Sequence, residues 1–118
     1  MELARAILFV KDLPRMTAFY RDTLGLPVVD EQEGWVELAA GAASLGLHAI
    51  PDEIAAGITI ETPASVREET PIKLAFAVAD VAAQRARLVE AGVVMREPRP
   101  WGCDGVDPEG NVFQLIPR

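Results

Sequence analysis

The same order of signals is written twice along this 118-residue chain, sixty-eight residues apart, and that repeat fixes most of the topology open to it. Ala6 to Val10 alternate apolar positions as a strand does, and Asp12 then offers an N-cap and Pro14 a first-turn residue to a helix. Met16, Phe19, Tyr20 and Leu24 fall on one face of that helix as its core stripe, and Gly25 ends it. The second copy runs through a strand from Lys73 to Val78, an N-cap at Asp80, and a helix through Leu88 and Val89 closed by Gly92. Val10 superposes on Val78, Asp12 on Asp80 and Ala18 on Ala86, whereas Gly25 superposes on Gly92 only after a slip of one residue.

Three short strands are predicted after each helix. In the first half they cover Pro27 to Glu31, Trp35 to Ala39 and Ser44 to Ile50; in the second, Val93 to Glu97, Gly102 to Val106 and Val112 to Pro117. Each half is therefore βαβββ, and the fold class is α+β: one domain of two βαβββ modules, residues 1–50 and 72–118, forming a curved mixed sheet around a cavity. A helix covers only one face of each open sheet, so two modules facing each other enclose space. Residues 51–71, with three prolines and the polar run Glu68-Glu69-Thr70, read as a surface linker. Within it, Gly57 to Glu61 alternate, which fits either an extra edge strand or an ordered loop.

The chain closes on Asp107-Pro108-Glu109-Gly110, the preferred residue order for a type I turn. The strand after it sends Val112, Gln114 and Ile116 to one face and Phe113 and Leu115 to the other, so a polar residue stands midway along an apolar face.

Composition narrows the partners. A formal net charge of −7 opposes nucleic acid and anionic membrane, both of which demand a basic footprint. The apolar runs are far shorter than a bilayer span and the first residues are no signal peptide, which predicts a cytoplasmic protein. One cysteine, Cys103, forms no internal disulfide and no thiolate-rich metal site. Its neighbour Asp104 disfavours the thiolate, a poor setting for a nucleophile.

In order and spacing, the Val10-Lys11-Asp12-Leu13 strand exit, Phe19-Tyr20, Leu24-Gly25-Leu26, the second-half echo, Pro100-Trp101-Gly102 and the Asp-Pro-Glu-Gly-Asn turn resemble the vicinal oxygen chelate superfamily. That group includes glyoxalase I, extradiol dioxygenases, and fosfomycin and bleomycin resistance proteins. Its metal enzymes place His, Glu or Gln ligands at four inward positions on the first and last strands of each half. Carried over by motif, those positions are Arg5, Gly46, Lys73 and Gln114, and a shift of one pleat would put His48 in place of Gly46. Arg and Lys only donate, and Gly has no side chain, so the expectation is that no metal and no other cofactor is held.

On this reading the cavity wall holds Arg5, Phe9, Gly46, His48, Lys73 and Gln114, with small residues such as Ala75 and Ala77 leaving room, a composition suited to a small molecule. Glu37 is the expected partner of Arg5 or Lys73, as a buried ion pair; an anionic ligand bridging the two cations is the alternative. Trp35 reads as core, and Trp101 as a lid aromatic that stacks on a ligand. His48, the only histidine, is the candidate general base. The resemblance thus implies a metal-free binder of a small organic molecule. Its alternatives are a lyase or isomerase using His48 as base with Arg5 or Lys73 holding an anionic oxygen, and, further off, a metal-dependent glyoxalase or dioxygenase. Family members commonly pair, which predicts a homodimer.

Overall fold

The structure, a computed structural model, describes all 118 residues. They divide into two compact units, Met1–Thr59 and Ile60–Arg118.

Unit 1 contains β1 (Arg5–Val10), α1 (Leu13–Ala18), a π-helical turn (Phe19–Thr23), β2 (Val28–Gln32), β3 (Trp35–Ala40), β4 (Ala43–Ala49) and a single turn, α2 (Asp52–Ala55). Its sheet has the order β1-β4-β3-β2, with β1 parallel to β4 and the other pairs antiparallel. Asp12 caps α1 by accepting from the Arg15 N–H at 3.0 Å. One face of the sheet packs on the helix through Val10, Leu38, Leu45 and Leu47, which meet Met16, Phe19 and Tyr20 in a core where all seven side chains are buried. Each such burial contributes about 1.5–3 kcal/mol.

The π turn explains the slip in the repeat. Sequence predicts one continuous helix from Pro14 to Leu24, but the Leu24 N–H donates to Phe19 O at 2.9 Å, five residues back, and Leu26 N–H to Tyr20 O at 3.0 Å. The first helix carries one residue more than its counterpart, and a widened turn absorbs it without rotating Phe19 and Tyr20 out of the core.

Unit 2 contains β5 (Leu74–Val78), α3 (Val81–Glu90), β6 (Val94–Met95), β7 (Cys103–Val106) and β8 (Val112–Pro117), in the sheet order β5-β8-β7-β6. Asp80 caps α3 through the Ala83 N–H at 2.9 Å, repeating Asp12. The core holds Leu88, Cys103, Phe113 and Leu115. Phe76 meets Phe113 edge-on with ring centroids 6.3 Å apart. Gly105 lies opposite Phe113, and a Cβ there would stand 2.5 Å from both Met95 Sδ and Phe113 Cζ; the missing side chain is the slot the ring occupies. Val89, read with Leu88 as part of the helix pattern, points outward and is exposed.

Of the two readings of Gly57 to Glu61, the edge strand does not form. The N–H groups of Gly57 and Ile58 are already donated to Ile54 O (3.1 Å) and Ala55 O (3.0 Å), continuing the turn of α2. Further on, the Arg67 N–H donates to Gly110 O at 2.8 Å, tying this segment to the closing turn. That turn is built as its residues require: Gly110 N–H donates to Asp107 O at 3.0 Å, Asp107 Oδ1 accepts from Glu109 N–H at 2.9 Å and Asn111 N–H at 3.0 Å, and Gly110 has φ +90.

Candidate functional site

The face of the unit 1 sheet turned away from the helix carries six of the residues singled out in the sequence. Strand alternation and register set them in rows: Arg5 beside Ser44, Ile7 beside Gly46 and Glu37, Phe9 beside His48 and Trp35. Arg5 reaches across to Glu37, its Nε and Nη2 donating to Glu37 Oε1 at 3.0 and 2.7 Å. Ser44 Oγ donates to the same oxygen at 2.6 Å, and Arg5 Nε also approaches Ser44 Oγ at 3.3 Å. The Ser44 hydroxyl first, and then the Arg5 guanidinium, hold the Glu37 carboxyl below its usual range. A depressed pKa contributes stability above the unfolded value, and that contribution is lost as pH falls through the folded one.

Trp35 is the centre of this face. Arg5 Cζ lies 5.2 Å from its ring centroid, a cation–π contact. His48 meets it edge-on at 5.9 Å, and Phe9 stands 5.3 Å from His48 on the other side. Guanidinium, indole, imidazole and phenyl thus form a ladder across three strands. The far end of the indole lies over Gly46, where any Cβ would overlap Trp35 Cη2. Trp35 is half-buried here rather than part of the core, because the odd positions of β3 face away from the helix.

The Arg5–Glu37 pair is confirmed as a pair but not as a buried one: the two side chains are 43% and 16% exposed. Position at the start of an edge strand leaves the guanidinium reachable by water, so the pair tolerates solvent instead of replacing it.

Unit 2 repeats the arrangement with different residues. Lys73, one residue before β5, bonds both carboxylate oxygens of Asp104 at 3.2 and 3.1 Å. Asp104 is in register with Gln114, and Gln114 with Ala75. Asp104 is the site-face residue that the sequence reading missed. The signal was its alternation with Cys103: once Cys103 is core, Asp104 must face the other way, where Glu37 faces in the first copy. Trp101, ahead of β7, is 65% exposed. Gly102 lies close to the Leu115 carbonyl, and an added Cβ would stand 3.4 Å from Gln114 Cγ. Cys103 is buried, its Sγ donating to Arg96 O at 3.2 Å, and burial pushes the thiol pKa up. It packs as a core residue, and the raised pKa disfavours the thiolate that a nucleophile needs.

The four positions that would hold a divalent ion fit none. Arg5 and Lys73 are ion-paired cations, Gly46 is roofed by Trp35, and only Gln114 offers a neutral oxygen. Register keeps Gly46 opposite Ile7 and sets His48 one pleat further along, exposed and flanked by Phe9 and Trp35. No group of three or more His, Cys, Asp or Glu side chains in the chain is placed to hold a metal.

Two four-stranded mixed sheets, each with a helix on one face and each generated by the same βαβββ order, define the glyoxalase fold. The family model of a glyoxalase-like domain matches residues 5–116, and the chain belongs to that family. Among solved structures it is similar to TnmS3, an antibiotic binding protein from Streptomyces sp. CB03234, with 25% identity, a TM-score of 0.70, and 99% of this chain and 95% of that one covered. A glyoxalase/bleomycin resistance protein from the same organism is 28% identical with a TM-score of 0.69, over 98% and 99% of the two chains. Lactoylglutathione lyase from Agrobacterium tumefaciens shares the fold at 20% identity and a TM-score of 0.73, over 98% and 92%. No curated protein matches the sequence. No helix is long and apolar enough to cross a membrane.

Proposed function

We propose that this protein binds a small organic molecule without a metal ion. The observation that carries the reading is Trp35 lying over Gly46 beside the Arg5–Glu37 pair: the first unit's two ligand positions are taken up by an ion pair and an aromatic platform. Arg5, Phe9, Trp35, Glu37, Gly46 and His48 serve this role on the first unit's sheet, and Lys73, Trp101 and Gln114 on the second's. The likeness to TnmS3, described as antibiotic binding, supports a binding role. Elemental analysis after washing with a weak chelator should find no stoichiometric Ni, Zn, Fe or Mn, and native mass spectrometry should show an organic mass that leaves on denaturation. About one such ion per chain would overturn the metal-free reading.

A second reading, a lyase or isomerase with His48 as base, is favoured by the exposure of the imidazole on the same face as Arg5. Turnover lost in His48→Ala with substrate binding retained would establish it over the binding role.

The protein is also proposed to be a cytoplasmic homodimer. The open edge strands β2 and β6, on which Val29 and Val94 are exposed, favour a partner. Light scattering should give about twice the 12.7 kDa chain mass at micromolar concentration, and a 12.7 kDa species would argue against it.

A further inference from the structure

We infer that the ligand of the unit 1 face is an uncharged, flat aromatic molecule bearing a carbonyl oxygen, an inference that rests on the binding role proposed above. Shape comes from the ladder. Phe9, His48 and Trp35 are spaced at 5.3 and 5.9 Å, and Phe9 is 64% exposed, so the open end of the ladder is a ring with unused stacking surface. Ile7, 48% exposed in the adjacent row, widens the apolar patch.

Charge comes from the other end. Arg5 is the cation of this cluster, and Glu37 already neutralises it with two bonds to one oxygen. Ser44 fixes that same oxygen, so the carboxylate is held in place rather than free to swing away. An anionic ligand would compete with Glu37 for the guanidinium, on a unit in which acidic residues outnumber basic ones. A cationic ligand would meet the guanidinium lying over Trp35. A neutral ligand incurs neither repulsion. The pairing with Glu37 uses Nε and Nη2, which leaves the Nη1 hydrogens outside it as donors for a carbonyl oxygen.

Three probes with one ring system separate the effects: 2-naphthamide, 2-naphthoate and 2-naphthylmethylammonium, titrated by calorimetry near neutral pH. The expected order places naphthamide tightest, by roughly fivefold or more over either ion. Phe9→Ala should weaken naphthamide about five- to tenfold, the worth of one aromatic contact. Glu37→Gln should reverse the order in favour of naphthoate, roughly tenfold, because it leaves Arg5 an uncompensated cation. An unchanged circular dichroism spectrum shows that the variants are folded. A wild-type preference for either ion, or an order unmoved by Glu37→Gln, overturns the inference and leaves the binding role standing. Silence with all three probes overturns it as well, while an organic mass in the purified protein still decides the binding role independently.

Discussion

Gly110→Ala should lower the melting temperature by roughly 10 °C, a loss of about 3 kcal/mol. Two separate costs add there. The residue has φ +90, where an L side chain is strained by about 1–2 kcal/mol. Its Cβ would also overlap the Ser65 carbonyl oxygen, a backbone atom that no rotamer change can move aside. Gly25→Ala separates the two, because Gly25 has φ +81 with nothing within 4 Å of an added Cβ. That variant should lose only the conformational part, about 1 kcal/mol. Equal losses at the two positions would show that the segment around Ser65 is not held against the closing turn. The Arg67–Gly110 bond says that it is held.

The repeat made the fold legible because its signals are local and chemical. Asp12 and Asp80 cap where capping residues should, Gly25 and Gly92 end their helices at φ +81 and +84, and the alternation of β8 correctly assigns Phe113 and Leu115 to the core. Less legible were features that neither hydrophobic period nor capping chemistry marks. The π turn at Phe19–Thr23 was present in the sequence only as a one-residue slip of the repeat, which by itself does not say where the extra residue goes. Gly57 to Glu61 alternates like a strand, yet its first N–H groups are consumed by α2. At the site, the pairing of Arg5 with Glu37 was foreseeable from charge, but its exposure was not, since periodicity fixes the face of a residue and not the depth of the water above it. The seat of Trp35 over Gly46 depends on register across β3 and β4, which no single strand pattern reveals.

Phe113→Ala should destabilise the protein by about 4 kcal/mol, whereas Gln114→Ala, one residue later, should change stability by less than about 1 kcal/mol. The contrast follows from facing. Phe113 is 1% exposed, packs against Phe76 and fills the slot left by Gly105, while Gln114 looks out from the other face toward Asp104 and Gly102. Thermal melting of the two variants checks the facing directly, and similar losses would contradict the register of β8. Gly105 tests the packing itself. Gly105→Ala forces a methyl group against Met95 and Phe113 and should cost about 1–3 kcal/mol in the wild type. In Phe113→Ala the same methyl enters the space the ring has vacated, so the double variant should be more stable than the sum of the single losses by about 1 kcal/mol or more. Strict additivity would mean that the two side chains do not share that volume. A stability-neutral Gln114→Ala also makes this position safe for functional work, because any change in ligand binding then reports on the site face and not on unfolding.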